Sequence, residues 1–362
     1  MRKIAKLLGV LLACVLCFAM IAQAEPAGEA GEVVYDGPEM TLSFSFSSSE
    51  ELSIVYTNPC KMITERTGGK VQFDNYFSGS LAPAADALDA CGTGLADMAD
   101  ITLTNTPDRF PYSQQVTGYP FLGFTSFCMA ADVMRNFIPN NEYCMAEFEA
   151  ANIFPLFFTG VWGTAVVMKD DEEILSPEDL AGKKMMVSSP TEAMFLTNAG
   201  GTPVPQPPTE MFQNFQSGLV DGSIYGLYIC DIFGALELAH HVSMLENSFT
   251  TGCRVAGINL DLWNSFTPEL QQIFIECFNS PEEWELATEY WIKSDQDHLD
   301  NCEKWGIHVI DVKGDDMKPW IEAAKPLGDA KMQELYDAGN THVFEVLDAL
   351  NEAIDNYDGE FK

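Results

Sequence analysis

Apolar and small polar residues alternate from Met40 to Phe46, the two-residue period of a half-buried strand. Ser47, Ser48 and Ser49 then offer a hydroxyl N-cap ahead of Glu50 and Glu51, whose charges suit the positive end of a helix. That helix should reach Arg66, kink at Pro59 and end at Thr67-Gly68-Gly69. Val71 to Phe77 predicts a second strand, Pro83 to Gly92 a helix, Met98 to Leu103 a third strand and Thr104 to Arg109 a loop. Two helical runs, Ser126 to Phe137 and Glu142 to Ala151, flank Pro139-Asn140-Asn141, and Ile153 to Phe158 returns as a strand.

The pattern is richest between Gly182 and Gly226. Lys183 to Val187 reads as a strand, stopped by Ser188-Ser189-Pro190. A helical run follows, then Gly200-Gly201 and an extended segment from Thr202 to Pro205. Glu210 to Ser217 predicts another helix with Gly218 at a left-handed cap, and Val220-Asp221-Gly222 opens the next strand. Strands alternating with helices in this way make a parallel α/β unit, whose loops meet at one rim of the sheet where ligands bind. Ser176-Pro177-Glu178, Thr267-Pro268-Glu269 and Ser280-Pro281-Glu282 each announce a helix by hydroxyl cap, first-turn proline and acid. The last run extends to about Trp305; Val309 to Val312 is a short strand, and Met317 to Gly328 and Ala330 to Asn356 are helices.

The amino terminus changes the compartment. Arg2, Lys3 and Lys6, an apolar stretch from Leu7 to Ile21, and Ala22-Gln23-Ala24 have the order of a secretory signal covering residues 1–24. A retained membrane helix and a lipoprotein site at Cys14 are the competing readings. Residues 25–40 are rich in glycine and acid, with little to bury, and predict a flexible leader. The formal charge is −35; losing the three basic residues of the signal makes it −38. A surface that acidic repels nucleic acid and anionic lipid.

Eight of the ten cysteines lie beyond the signal, an even count that suggests disulfides in an exported chain. The first pairing to test joins neighbours in order: Cys60 with Cys91, Cys128 with Cys144, Cys230 with Cys253, and Cys277 with Cys302. The competing reading is a set of buried, reduced thiols. Beyond the signal no CxxC or Cys/His cluster exists for zinc, so no metal or cofactor is expected. No GxSxG elbow or phosphate-binding glycine loop appears either, and His240-His241 reads as a solvated helix end, so an enzyme is not expected.

Phe77-Ser78-Gly79-Ser80-Leu81, Gly94-Leu95-Ala96-Asp97-Met98, Tyr119-Pro120-Phe121-Leu122 and the stretch from Gly182 to Gly226 together carry a resemblance. In order and spacing, from about Leu42 to about Asn356, the chain resembles the DctP-type family. These are extracytoplasmic solute-binding proteins of tripartite ATP-independent periplasmic (TRAP) transporters. The resemblance implies a two-lobed α/β fold of the periplasmic-binding-protein (Venus flytrap) type, with mixed sheets flanked by helices. It implies discontinuous lobes, residues 41–160 with 253–283 and residues 161–252 with 284–362. Crossings fall near Thr159–Gly163 and Phe249–Ala256, and one long helix joins the lobes. It also implies a periplasmic location, a small-molecule solute and membrane permease subunits as partners.

Relatives of that kind grip a carboxylate with an arginine, whose position here is Met186, while a second arginine maps to Ala165 and an asparagine to Tyr225. A buried carboxylate without a partner costs several kcal/mol, so this departure points to a neutral, aromatic or cationic solute. The pocket-matching residues are Ser45, Ser47, Thr102, Trp162, Ala165, Met186, Ser188, Ser189, Gln206 and Tyr225. Capping by Ser188 and Ser189, and core packing by Trp162, Tyr225 and Tyr228, are the plainer readings. Only Arg66, Arg109, Arg135 and Arg254 follow the signal, so a carboxylate binder would depend on Arg254, near the second crossing. A sensor module that hands its closed form to a signalling receptor is a further alternative.

Overall fold

The computed structural model describes residues 35–359 apart from Trp162 and Thr250. The expected signal and most of the expected leader lie outside the described residues. The strands are β1 (Met40–Ser45), β2 (Val71–Tyr76), β3 (Met98–Thr102), β4 (Ile153–Val161), β5 (Thr164–Met168), β6 (Lys184–Val187), β7 (Thr202–Val204), β8 (Gly222–Tyr225), β9 (His241–Leu245), β10 (Gly252–Asn259) and β11 (His308–Val312). The α-helices are α1 (Ile54–Arg66), α2 (Ala87–Gly92), α3 (Phe127–Phe137), α4 (Glu142–Ala150), α5 (Pro190–Asn198), α6 (Met211–Ser217), α7 (Leu227–Ile232), α8 (Leu260–Ser265), α9 (Pro268–Phe278), α10 (Pro281–Trp305), α11 (Lys318–Asp337) and α12 (Val343–Asp355).

The strands form two mixed sheets, ordered β2-β1-β3-β10-β4 and β11-β9-β5-β8-β6-β7. Parallel pairing of β6 with β7 and β8 realises the α/β unit expected between Gly182 and Gly226. Each sheet is buried on both faces, as strand-after-helix connections require. On the first sheet, Cys253 and Val255 enter one core while Ala256 and Ile258 enter the other. On the second, Val166 and Ile224 face one core while Ala165 and Tyr225 face the opposite one.

The chain passes between sheets from β4 to β5 and again from β9 to β10. Helix α10 makes a third link: Trp284, Ala287 and Trp291 enter the first sheet's core, and Cys302 enters the second's. Helix α11 returns the chain, with Trp320 and Leu327 in the second sheet's core and Met332 and Leu335 in the first's. Helix α12 packs wholly on the first sheet through Val343, Val346, Leu350 and Ile354. Helices α10 and α11 thus bring apolar stripes to the cores of both sheets, and α12 to that of the first.

Several local expectations change for physical reasons. Tyr35, within the leader, is buried against the first sheet's core, and Lys70 reaches both its ring and Asp36. The serines after β1 do not cap a helix; a single 3-10 turn at Glu51–Ser53 leads into α1, which continues through Pro59. Helix α11 runs past Gly328, where a Cβ would stand 2.5 Å from the Tyr119 ring, so that glycine serves close packing. The break comes instead at Gly339, whose φ is 106°. His241 opens strand β9, buried beside His308, and is not a solvated helix end. A π-helical turn at Pro111–Val116, unforeseen, hangs its Tyr112 and Ser113 N–H groups on the buried Glu147 carboxylate at 2.6 and 2.9 Å.

The eight described cysteines are free thiols, and all but Cys128 are buried. The pairing by order has no spatial basis. Cys60 shares a core with Cys277, Cys144 with Cys253, and Cys230 with Cys302.

Candidate functional site

The site is built where β1, β3 and β10 end beside the crossings between the sheets. Arg254 lies on β10, in register with Thr102 on β3 and with Thr159 on β4. Its side chain projects from the same face of the strand as Ala256 and Ile258, toward α1. Asp100, one pleat back on β3, is fully buried and meets the guanidinium edge-on. Nε donates to one carboxylate oxygen at 3.2 Å, and Nη2 donates to the other. Nη2 also reaches the hydroxyls of Ser47 and Ser48 at 3.4 Å each, and Ser47 donates to Asp100 at 3.0 Å.

Arg254 keeps 23% of its side chain exposed, and its Nη1 makes no hydrogen bond among the described residues. Burial opposes the charge most strongly, yet the Asp100 carboxylate, together with Tyr56 and Tyr228, outweighs it and holds the guanidinium above its ordinary pKa. The cation is therefore permanent. One phenol lies beneath it, and two more feel its charge. The guanidinium lies over the Tyr56 ring at 5.9 Å, and Tyr56 exchanges a 3.0 Å hydrogen bond with Thr159. Tyr228 on α7 and Tyr290 on α10 are both raised by burial and pulled back by the Arg254 charge, which places each within its electrostatic reach. Tyr228 comes from the second sheet's layer, so the site draws on both halves of the molecule.

The expected residues fall into two groups. Ser45 is buried at the end of β1; Ser47, Thr102 and Arg254 gather around Asp100. Those from the second sheet are engaged elsewhere. Met186 and Ala165 are fully buried in one core, where the Met186 sulfur accepts from Asn214 at 3.6 Å. The Tyr225 hydroxyl donates to the Val187 carbonyl at 3.0 Å and to that of Gln206 at 3.4 Å, tying strand ends together. The Gln206 residue is exposed. Ser188 and Ser189 both serve Glu192 in a capping box that starts α5. Burial, offset by those hydrogen bonds, pushes the Glu192 carboxyl up to about 7. Trp162 lies outside the described residues.

Asp100, Ser48, Tyr56, Tyr228 and Tyr290 escaped the sequence reading as site residues. One signal was available: Asp100 interrupts the apolar run Met98–Thr102, and an acid inside a core strand needs a cation. Arg254 was singled out there among the four arginines, as the residue on which a carboxylate binder would depend. Among the described residues, no group of three or more His, Cys, Asp or Glu side chains could hold a metal, and no helix is long and apolar enough to cross a membrane.

Comparisons with known proteins agree with this architecture. The model of bacterial extracellular solute-binding protein family 7, DctP, matches residues 47–335. An uncharacterized protein, YiiZ, of Salmonella typhimurium is 23% identical over 309 residues, 80% of this chain and 89% of that one. The ectoine-binding periplasmic protein TeaA of Halomonas elongata is 28% identical over 204 residues, 55% of this chain and 57% of its own. A TRAP periplasmic solute-binding protein from Desulfovibrio salexigens superposes with a TM-score of 0.76 at 21% identity, over 90% of this chain and 98% of that one. One from Rhodoferax ferrireducens, with copurified benzoate, gives 0.71 at 18% identity over 87% and 98%. The chain has the two-lobed α/β fold of these structures, and it belongs to the DctP family of bacterial extracellular solute-binding proteins.

Proposed function

We propose that this chain is exported by its amino-terminal signal and serves as the solute receptor of a TRAP transporter. It captures a small organic molecule between its lobes at Arg254 and presents the closed form to membrane permease subunits. No bond is made or broken in the solute. The two lobes are centred on the two sheets; residues 40–161, 252–291 and 330–355 form the first, and residues 164–245 and 302–327 the second. The crossings between β4 and β5 and between β9 and β10, together with α10 and α11, are the linkages that bend. Solute shifts an open–closed equilibrium because it touches both halves only when they are together.

The solute we favour is not a simple carboxylate. One observation carries this reading: the cation at the crossing is already joined edge-on to the buried Asp100. A carboxylate would add a second negative charge beside a guanidinium that is already paired with one. Tyr228, Tyr56 and the hydroxyls of Ser47, Ser48 and Thr102 supply a surface for a neutral or aromatic body. Met186, Ala165 and Tyr225 support the same choice, since none offers an anion partner. Relatives span chemistries: similar structures hold benzoate and galacturonate, and one relative is an ectoine-binding protein.

The test is small-molecule mass spectrometry of the purified protein, followed by thermal shift with dicarboxylates, sugar acids, amines, amides, aromatics and polyols. A stabilising solute without a free carboxylate, whose effect is lost in Arg254→Ala, supports the reading. Stabilisation by carboxylates alone, lost in the same variant, replaces it with a carboxylate receptor. Stabilisation untouched by Arg254→Ala removes this site from the account.

A further inference from the structure

Asp100 is not needed to build β3. An alanine or valine would fit a strand whose other members are Met98, Ala99 and Ile101, all buried in the two first-lobe cores. The carboxylate is held there only by partners that themselves face the crossing: Arg254 Nε and Nη2, and the Ser47 hydroxyl. It takes the edge of the guanidinium best suited to a bidentate carboxylate, leaving Nη1 as the face turned to a solute. A residue in this position decides what the arginine can bind.

We propose that Asp100 is the charge selector of the solute site, setting a net charge of zero at Arg254 and thereby favouring an uncharged hydrogen-bonding solute over both its anionic and its cationic isosteres. This rests on the reading of Arg254 as the solute-binding group. In the resting site, Nη1 donates one hydrogen bond to a neutral acceptor such as an amide or hydroxyl oxygen. A carboxylate there faces the buried Asp100 as a like charge, and an amidinium faces Arg254 as one, so each is disfavoured against a neutral isostere.

The experiment uses three molecules of one shape: benzoate, benzamide and benzamidine. Their affinities are measured by calorimetric titration on the full mature protein, wild type and variants. In the wild type, benzamide should bind at least about tenfold more tightly than either charged partner, a difference of ~1.4 kcal/mol. Asp100→Asn keeps the shape, removes the negative charge and frees the guanidinium edge, so the order should invert in favour of benzoate. Arg254→Gln leaves the carboxylate alone and should move the preference to benzamidine. This second variant keeps the test alive if Asp100→Asn does not fold, and the double variant, neutral again, should show no charge preference.

Inversion in either single variant supports the proposal. Wild-type preference for benzoate, or an order unchanged in folded single variants, overturns it, as does the absence of binding to every form. Failure of the parent reading looks different: the solute that copurifies with the wild type would then stay bound in Arg254→Ala. A solute lost in Arg254→Ala but with unaltered charge preference in Asp100→Asn refutes the selector alone.

Discussion

Met186→Arg tests the position at which the family resemblance leads one to expect an arginine. The structure predicts a damaged core and no new anion site. Met186 is fully buried in β6, in one core with Ala165, Val167, Met211, Phe215 and Tyr225, and Asn214 donates to its sulfur. Removing the thioether forfeits ~2 kcal/mol of apolar burial. An unpaired guanidinium in its place costs several kcal/mol more, of the size seen when a buried ion pair loses one member, ~3–5 kcal/mol. The buried acid next to this core, Glu192, is already held by Ser188 and Ser189. The sum is ~5–7 kcal/mol, a large part of the ~5–15 kcal/mol that stabilises a domain. With a urea slope of ~3 kcal/mol per molar, the unfolding midpoint should fall by about 2 M. Met186→Leu, nearly equal in volume, should cost under ~1.5 kcal/mol. Urea titration followed by circular dichroism reads both, with benzoate titration alongside. An arginine variant within ~1 kcal/mol of wild type that has also gained benzoate binding would refute the placement of Met186 in the core.

Burial pushes the carboxyls of Glu147, Glu192 and Glu283 up to about 7 from 4.5, so between those values the folded chain holds protons that the unfolded chain has shed. Stability should therefore fall as pH rises from about 5 to 7.5, and Glu192→Gln should remove ~1–3 kcal/mol of that fall by urea titration at each pH; an unaltered slope would contradict it. At Gly222 an added Cβ would stand 2.3 Å from the Val167 carbonyl, within the pairing of β8 with β5, so Gly222→Ala should cost at least ~3 kcal/mol. Gly218, at φ 71° after α6, meets only the Lys169 amine at 3.8 Å, and Gly218→Ala should cost ~1 kcal/mol; equal melting losses in the two variants would deny the steric difference. Iodoacetamide on the native chain should label Cys128 first and the seven buried thiols only after unfolding, and a mass indicating a surviving disulfide would contradict the free-thiol arrangement.

What could be read from the sequence was chemistry acting over one turn. Gly218 ends its helix in the left-handed conformation, and Thr267 and Ser280 cap theirs, because a missing Cβ or a nearby hydroxyl decides the local backbone. The strand at His241–Leu245 was missed because five residues after a helical run carry no period of their own; pairing with β5 and β11 makes it a strand. Gly328 was misjudged as a helix stop because its reason, the Tyr119 ring, lies far away in sequence. The site was half legible for the same cause. Arg254 could be singled out by scarcity and by its nearness to a crossing, but its partner Asp100 is 154 residues away and meets it through sheet register. Ser188 and Ser189 matched a family position yet had a nearer use in the capping box with Glu192.

The central claim is that the solute sits at Arg254, between the two sheets. A crystal structure of the protein purified with its own solute, without added ligand, tests it most directly. The account predicts a small molecule without a free carboxylate, within hydrogen-bond distance of Arg254 Nη1 and in contact with Tyr228 across the crossing. A carboxylate held at the β6 rim beside Met186, with Arg254 and Asp100 untouched, would contradict it.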